Sequence, residues 1–338
     1  MMENLNHLDQ QSLEPLIFEP ILKNRIWGGE KLKNLLQKNT EQLNVGESWE
    51  ISDVEGDVSV VTGGSFHGKS LRDLVRLYQS DFLGDANYDR FGDKFPLLIK
   101  FIDAKNNLSI QLHPNDRLAA ERHNSFGKNE MWYIMQADEG AEIIVDFNQE
   151  MDIAKYQQHL SEGTLPLIMN NEKVAPGDAF MIDVGRVHAI GAGVLLAEIQ
   201  QTSDVTYRLY DWDRVDNQGQ PRELHTKMAL DAIDFHMPSN FRRSYSSEPN
   251  RPNSIIECPY FSCNYFEISR NIRITNKYDS FLIYICIEGD LTVNFRRNRW
   301  KINKGQSILI PAAVKNFELI AEYAKLLEVY VEPYNKTI

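Results

Sequence analysis

The chain has 338 residues, 42% hydrophobic and 25% charged, with a formal net charge of −12 at pH 7. This composition is typical of a globular protein long enough for two domains. The acidic balance argues against nucleic acid and anionic membranes as partners, and no run of about 18 apolar residues occurs. Three cysteines without a CxxC pair, and no recognisable secretory leader, predict a cytoplasmic protein with reduced thiols.

In chain order, the first predicted elements are an apolar strand over Glu14–Ile21, a turn at 27–29 and a short helix over Glu30–Gln37. A further helix is predicted after Ser70, a favourable N-cap residue. Apolar residues follow it at helical spacing, namely Leu71, Leu74, Val75 and Tyr78. The N-terminal region is therefore mixed, with helices beside strands.

The strand over 108–114 is the most informative stretch of the chain. Leu, Ile and Leu alternate there with Ser109, Gln111 and His113 before a proline ends the run. Alternate side chains of a strand point to opposite faces, so the three polar residues share one face. The preceding strand, Phe95–Ile102, contains the single lysine Lys100, which must face a polar pocket or reach water.

The remaining elements divide the chain into two β-rich parts. Residues 15–148 and 174–236 are expected to form the first domain, with a small helical insertion at 149–173 and a final helix over Arg222–Phe235. The proline-containing segment 237–254 is expected to be a linker. Short β-rich runs over 255–338 predict a second antiparallel barrel or sandwich.

The second part reads as a weak repeat of the first. Lys304–Asn316 can be laid over Pro176–His188, which places Asn316 at the position of His188. The same comparison leaves Asp279 or Ser280 near the place of Glu130. The second copy lacks the imidazole, and we expect it to bind no metal.

Four side chains of the first part form a candidate metal-ligand set. Glu130 opens an apolar run, His188 ends the stretch that begins at Pro176, and Gln111 and His113 come from the strand described above. Two imidazoles, a carboxylate and an amide oxygen suit a borderline divalent metal such as Zn²⁺, with a position left for water or substrate. A lone histidine in such a strand is more often an ordinary polar residue, so the combination carries the prediction.

These motifs resemble a known family. The segments that match are 25–29 (RIWGG), 45–50 (VGESWE), 108–115 (LSIQLHPN), 129–134 (NEMWYI), 184–190 (VGRVHAI) and 200–208 (QQTSDVTYR). They are similar to the signatures of type I mannose-6-phosphate isomerases, in their short bacterial form. The resemblance runs from about residue 15 to 235, and beyond it only the strand pattern is similar.

The resemblance implies a mainly β protein of two cupin-type (jelly-roll) barrels with a small helical insertion and flanking helices. It implies interconversion of mannose 6-phosphate and fructose 6-phosphate through an enediol, with one zinc ion per chain. The partner would be a small phosphosugar, with neither nucleic acid nor membrane, and the chain a monomer or weak homodimer. The zinc ligands carried over are Gln111, His113, Glu130 and His188.

Further roles follow from the same resemblance and from the residue types. Arg208 matches the family's active-site arginine, and Glu198 matches a pocket carboxylate that we favour as the proton carrier. Lys100 is the third catalytic candidate. Contacts to phosphate or sugar oxygens are expected from Ser109, Lys100 and Lys128. Asp204 is counted with the substrate-binding residues and is expected to orient Arg208. Arg214 stands where longer members carry a lysine, and tryptophans that could line a sugar pocket are Trp27, Trp49, Trp132 and Trp212.

Two other interpretations remain open from sequence. Two histidines and a carboxylate also suit Fe(II), as in a cupin oxygenase. Gln111 in a ligand position and the basic residues Lys100, Lys128 and Arg208 favour an anionic substrate instead. A non-catalytic sugar-binding bicupin would keep the barrels and lose part of the ligand set, whereas this chain keeps all four positions.

Overall fold

A computed structural model describes residues 12–215, 218–236 and 240–332 of the chain. The prediction of a mainly β protein is confirmed. The strands up to residue 243 are β1 (Ile21–Gly29), β2 (Val45–Ile51), β3 (Asp53–Val54), β4 (Asp57–Val58), β5 (Leu97–Ala104), β6 (Ile110–Leu112), β7 (Glu130–Ala137), β8 (Glu142–Phe147), β9 (Met169–Lys173), β10 (Ala179–Ile182), β11 (His188–Ile190), β12 (Val194–Gln201), β13 (Tyr207–Tyr210) and β14 (Arg242–Arg243).

The later strands are β15 (Asn253–Glu257), β16 (Ser262–Ile268), β17 (Ile272–Thr275), β18 (Leu282–Phe295), β19 (Asn298–Asn303), β20 (Ser307–Ile310), β21 (Asn316–Ile320) and β22 (Ala324–Tyr330). The helices are α1 (Lys31–Asn34), α2 (Leu71–Tyr78), α3 (Ser80–Leu83), α4 (Asp85–Phe91), α5 (Asp116–His123), α6 (Ile153–Ser161) and α7 (Thr226–Ala229). Short 3-10 turns cover Gly64–Phe66 and Leu165–Ile168. Within the described ranges, no helix is both long and apolar enough to cross a membrane.

Two antiparallel sheets form the first barrel. One has the order β1-β2-β5-β12-β7-β10-β14, and the other the order β13-β6-β11-β8-β9. A buried apolar cluster lies between them, with Ile134, Phe180 and Leu196 from the first sheet and Ile143 and Ile190 from the second. The strand alternation predicted from sequence therefore separates an inner face from an outer face on each sheet.

The outer face of the seven-stranded sheet is also buried. Its apolar residues belong to one continuous core with helices α2 to α4 and with the interior of the second barrel. Phe95 and Phe281 meet across this junction with ring centroids 4.6 Å apart, and Leu16 pairs with Leu309. The two barrels thus share apolar packing.

Helix α2 follows the sequence prediction closely. It begins after Ser70, whose side chain accepts a hydrogen bond from the backbone N–H of Asp73 as an N-cap. Its buried residues are the four that repeat at helical spacing. Capping and periodicity are local signals, so sequence alone locates this helix.

The prediction for the N-terminal strand is wrong in position. A single long strand, β1, begins at Ile21 and continues through the segment expected to be a turn. A Cβ atom on Gly28 would lie 2.3 Å from the carbonyl oxygen of Asn44 and 2.5 Å from the backbone nitrogen of Gly46. Glycine is required there because strand β2 approaches closely.

The helix predicted over Arg222–Phe235 is also wrong, since only Thr226–Ala229 is helical. The flanking backbone bonds to the barrel instead. The N–H of His225 donates to the carbonyl oxygen of Arg208 at 2.7 Å, and that of Asp234 donates to Gly185 at 3.0 Å. Within the expected insertion, residues 153–161 and 165–168 are helical, but Met169–Lys173 is strand β9 of the five-stranded sheet.

The segment expected as a linker contains strand in its described part. Arg242–Arg243 pairs with β10 of the first sheet, and β15 begins at Asn253. Residues 237–239 of this segment, and 333–338 of the expected second domain, lie outside the described residues. The second barrel has its central strands in the order β15-β16-β22-β18-β21-β17, with β19 and β20 also paired to β18.

Strands β10 and β20 coincide when 304–316 is laid over 176–188, as the proposed repeat requires. The residue that corresponds to Glu130 differs from the one expected. Ile182 lies opposite Glu130 in the first barrel, and Ile310 lies opposite Leu282 in the second. Leu282 therefore holds the position of Glu130, and the expectation of Asp279 or Ser280 is wrong. The carboxylate of Asp279 instead accepts hydrogen bonds from the first backbone N–H groups of α4, at 2.8 and 2.9 Å.

Candidate active site

Strand alternation brings a set of polar side chains into the first barrel. On β5, β7 and β12 the outward residues pack in the core shared with the second barrel, among them Phe101, Tyr133 and Ala197. The residues between them face the interior. These inward polar residues, with their counterparts from the five-stranded sheet, are Lys100, Gln111, His113, Glu130, His188 and Glu198.

Three of these side chains converge on one point. Ligand atoms of His113, Glu130 and His188 all lie within 4.8 Å of one another. Glu130 Oε2 is 3.5 Å from His113 Nε2, and Glu130 Oε1 is 3.5 Å from His188 Nε2. All three side chains are only 1% exposed. The spacing and burial are those of side chains that can share one metal ion.

Both histidines are held in the tautomer that a metal needs. His113 Nδ1 lies 2.8 Å from the carbonyl oxygen of Val205, and His188 Nδ1 lies 2.9 Å from that of Arg186. A carbonyl oxygen only accepts, so each Nδ1 carries the hydrogen and each Nε2 keeps a lone pair. Burial, with the Lys128 charge, lowers the pKa of His113 well below its usual value, and burial lowers the pKa of His188 to about 3. Both rings are therefore neutral donors.

Gln111 lies at the edge of this group. Its side-chain nitrogen is 3.4 Å from His188 Nε2, and its oxygen accepts a hydrogen bond from Ser109 Oγ at 3.1 Å. Rotating the amide by 180° exchanges nitrogen and oxygen and turns an oxygen towards His188 Nε2, where it is available as a metal ligand. All four predicted ligands therefore come together.

Lys128 lies among the predicted ligands. Its ammonium is 2.9 Å from Glu130 Oε2 and 3.1 Å from His113 Nε2. Burial, with the Glu198 charge, raises the pKa of Glu130. Within the described chain, neither Glu130 oxygen has a hydrogen-bond partner, and the ion pair with Lys128 involves Oε2 alone. A buried carboxylate in this condition fits a cation, and the donor set fits a divalent metal.

Glu198 lies beside this group, between two donors. Its Oε1 is 3.1 Å from Lys100 Nζ, and its Oε2 accepts from Trp132 Nε1 at 3.0 Å. Burial opposes its ionisation, but the charges of Lys100 and Lys128 outweigh burial and lower the pKa. Glu198 is therefore an ionised carboxylate facing the cavity, as a general base requires.

The second barrel contains the same arrangement without a cation. Glu328 holds the place of Glu198, and it accepts from Asn264 Nδ2 at 2.9 Å and from the Tyr284 hydroxyl at 2.8 Å. Burial raises its pKa, because its two donors are neutral. Lysine charges thus favour the ionised form of Glu198, whereas burial disfavours the ionised form of Glu328.

A cavity of about 360 Å³ opens above the site. Its charged lining is predominantly basic: Arg25, Lys100, Lys128, Arg208 and Arg222 against Glu47, Glu198 and Asp204. The cavity thus offers positive charge in a protein of net charge −12. Ser109 and the three tryptophans Trp27, Trp49 and Trp132 also line it. Trp212 is not one of the lining residues, and its Nε1 donates to the backbone carbonyl oxygen of Leu108 at 2.7 Å.

Sequence reasoning quoted Arg25 and Glu47 only as part of a motif and gave them no role, and it named Trp49 as a residue that could line a sugar pocket. The structure places them on the cavity wall, where the Arg25 guanidinium binds both Glu47 oxygens at 3.0 and 3.1 Å. Trp49 Nε1 donates to Glu47 at 2.6 Å, and the Lys100 ammonium lies 5.1 Å from the Trp49 ring centroid. The sequence did contain a signal for this placement, because Glu47 and Trp49 are two residues apart in a strand and so share one face.

Replacement of Glu47 by Gln is expected to make stability less dependent on pH. Burial opposes ionisation of Glu47, but Lys100 and Arg25 outweigh it and lower the pKa from 4.5 to about 2. A carboxyl with a lowered folded-state pKa contributes stability above about pH 4.5 and loses it as the pH falls towards 2. Urea unfolding should show the variant about 3 kcal/mol less stable at pH 7, with the difference shrinking steadily below pH 4.5. A difference that stays constant down to pH 3 would contradict this account.

Comparison with known proteins identifies the family of this chain. The family description "Phosphomannose isomerase type I, catalytic domain" matches residues 16–156, and "Mannose-6-phosphate isomerase, cupin domain" matches 253–331. The fold and site thus define a cupin protein. The chain belongs to the type I phosphomannose isomerases, and it is an enzyme of the isomerase class.

Relatives match over nearly their whole length. Mannose-6-phosphate isomerase ManA of Bacillus subtilis (strain 168) is 36% identical over 90% of this chain and 96% of its own. Mannose-6-phosphate isomerase of Streptococcus mutans is 31% identical over 90% of this chain and 95% of its own. The crystal structure of mannose 6-phosphate isomerase from Bacillus subtilis superposes with a TM-score of 0.85 at 31% identity, covering 94% of this chain and 99% of that one.

Proposed function

We propose that this protein interconverts mannose 6-phosphate and fructose 6-phosphate with one Zn²⁺ held by His113, Glu130, His188 and Gln111. The observation that carries the proposal is the convergence of three neutral or anionic ligand atoms within 4.8 Å of one another. Glu198 lies beside them in the same basic cavity. When bound there, zinc supplies Lewis-acid polarisation of the sugar's carbonyl and hydroxyl oxygens.

The chain's own residues account for the proton transfer. Glu198 takes the proton from C2 of the open-chain aldose and returns it to C1, while a proton passes from the C2 hydroxyl to the C1 oxygen through an enediol. Lys100 keeps Glu198 ionised, and Trp132 fixes its orientation through Oε2. General base catalysis of this kind contributes about 10²- to 10⁴-fold to the rate.

Other proposed contacts follow from the cavity wall. Ser109 and Asp204 line the cavity, and in the proposed complex they bind sugar hydroxyls. Lys128, expected from sequence at the substrate, lies close enough to Glu130 to contact oxygens of the reacting carbons rather than a remote phosphate. Arg208 offers positive charge to the substrate. For the domain organisation, we propose a catalytic first barrel ending near residue 236 and an inert second barrel from about 255.

A coupled assay for fructose 6-phosphate tests the proposal. Elemental analysis of purified protein should find about one zinc per chain. The protein should convert mannose 6-phosphate, a chelator should abolish this activity, and added zinc should restore it. Zinc at one per chain without turnover of mannose 6-phosphate would favour the non-catalytic bicupin. Dependence on iron with consumption of O₂ would favour the oxygenase.

A further inference from the structure

Arg208 has capacity for a negatively charged ligand. Its Nη1 donates to the backbone carbonyl of Glu223 at 2.8 Å, while its Nε is buried without a hydrogen-bond partner in the described chain. Burial, with the charge of Arg222, lowers its pKa. The two guanidinium groups therefore repel one another across the cavity wall, and an anion between them would relieve that repulsion.

Arg222 reaches the cavity because a buried carboxylate holds it there. Its Nε donates to Asp211 Oδ2 at 2.7 Å and its Nη2 donates to Asp211 Oδ1 at 2.5 Å. Arg214 binds the same carboxylate at 2.5 Å, but its Nη1 donates to the carbonyl oxygen of Asn107 at 2.6 Å. Of these two arginines, only Arg222 is part of the cavity wall.

The two lysines of the cavity bind carboxylates, since Lys100 binds Glu198 and Lys128 binds Glu130. Arg25 meets Glu47 with one edge of its guanidinium, as Arg222 meets Asp211. Of these two arginines, Arg222 is the one whose charge acts on Arg208, so Arg208 and Arg222 are the basic pair that can share one anion. A guanidinium has five N–H donors, so donors remain for phosphate oxygens.

We propose that Arg222, positioned by Asp211, forms with Arg208 the site that anchors the phosphate group of the substrate. The proposal rests on the function proposed above and adds a residue to it. In this proposal Arg222 has the phosphate-binding role that the sequence position of Arg214 would suggest, since Arg214 stands where longer members of the family carry a lysine. The site distinguishes phosphorylated from free sugars, because only a phosphate supplies the charge and the oxygens that both arginines need.

The first test is kinetic and uses the zinc-loaded protein. Arg222→Gln is expected to raise KM for mannose 6-phosphate roughly 10- to 100-fold with little change in kcat, the range for losing charge-assisted hydrogen bonds. The inhibition constant of inorganic phosphate should rise in parallel. Arg222→Lys should recover only part of the loss, since an ammonium keeps the charge and loses the two-pronged geometry.

Arg214→Gln is the matched control, because it removes the other partner of the same carboxylate. It is expected to leave KM and phosphate inhibition unchanged, and thermal unfolding of each variant reports any general loss of structure. Unchanged KM and phosphate inhibition in Arg222→Gln, or an equal effect in Arg214→Gln, would overturn the proposal.

Calorimetric titration with inorganic phosphate separates this proposal from the isomerase function. If the wild type binds phosphate and Arg222→Gln binds it more weakly, the anion site stands even where mannose 6-phosphate is not converted. If conversion occurs but the wild type does not bind phosphate, the isomerase function stands and the anion site is refuted.

Discussion

Replacing His188 with alanine is expected to abolish metal binding and isomerase activity together. The side chain is 1% exposed and its Nε2 faces Glu130 and His113, so the substitution deletes one of the three converging ligand atoms. Lewis-acid assistance is worth several kcal/mol, so kcat/KM should fall about 1000-fold or more. Elemental analysis after dialysis should find zinc falling from about one per chain to a small fraction.

Exposed His67 provides the control. Its replacement by alanine should leave zinc content and turnover at the wild-type level, because it lies on the surface in the turn before α2. The zinc assignment is refuted if the His188 variant keeps both full zinc content and full turnover. Normal turnover without zinc would instead refute the metal's role in the reaction.

The second large effect is expected from Glu198→Gln. Glutamine matches the size of glutamate and can still accept from Trp132, but it cannot take up a proton as a base. Turnover should fall about 10²- to 10⁴-fold, while zinc remains bound. Lys100 keeps Glu47 as a neighbouring negative charge, which limits the cost of an unpaired ammonium. The coupled assay and elemental analysis on the same preparation check both parts.

The repeat in the chain supplies the matched substitution, Glu328→Gln. Glu328 lies in the corresponding register position and accepts two hydrogen bonds from neutral donors. Because burial already favours its uncharged form, glutamine is expected to change turnover little. Retained activity in Glu198→Gln, or an equal loss in both variants, would remove Glu198 as the proton carrier.

Local patterns predicted the parts of the site that depend on strand alternation. The sequence around residue 110 places Ser109, Gln111 and His113 on one face, and the structure has that face inside the barrel with Leu112 packed outside. Lys100 was likewise expected to face a polar pocket from its place in an apolar strand, and it lines the cavity. A strand fixes the direction of each side chain over two residues, so the pattern is readable without knowledge of the fold.

Features set by distant parts of the chain were not predictable in the same way. Glycine at Gly28 suggested a turn, because sequence does not show the backbone of Asn44 approaching it. Register between β18 and β20 decides that Leu282, rather than Asp279, corresponds to Glu130. Pairing across the sheet fixes such correspondences, and simple alignment of two weakly similar stretches does not.

Arg222 illustrates the same limit for function. No neighbouring motif in the sequence indicates a role for Arg222. The sequence also predicted that its segment is helical, which the structure does not show. Its place follows from the ion pair with Asp211, eleven residues earlier, and from the pairing of His225 with the edge of the first barrel. Contacts of this kind depend on tertiary structure and produce no periodic pattern in the sequence.

The packing between the barrels gives the second barrel a structural role, although Leu282 and Asn316 stand where the first barrel has Glu130 and His188. Met131 and Ile199 belong to strands that carry Glu130 and Glu198, and they are buried in the core that extends into the second barrel. Loss of that barrel would expose an apolar sheet face directly behind the reacting groups. The second barrel therefore acts as a scaffold for the first, and a chain cut before residue 253 is expected to aggregate through the uncovered sheet.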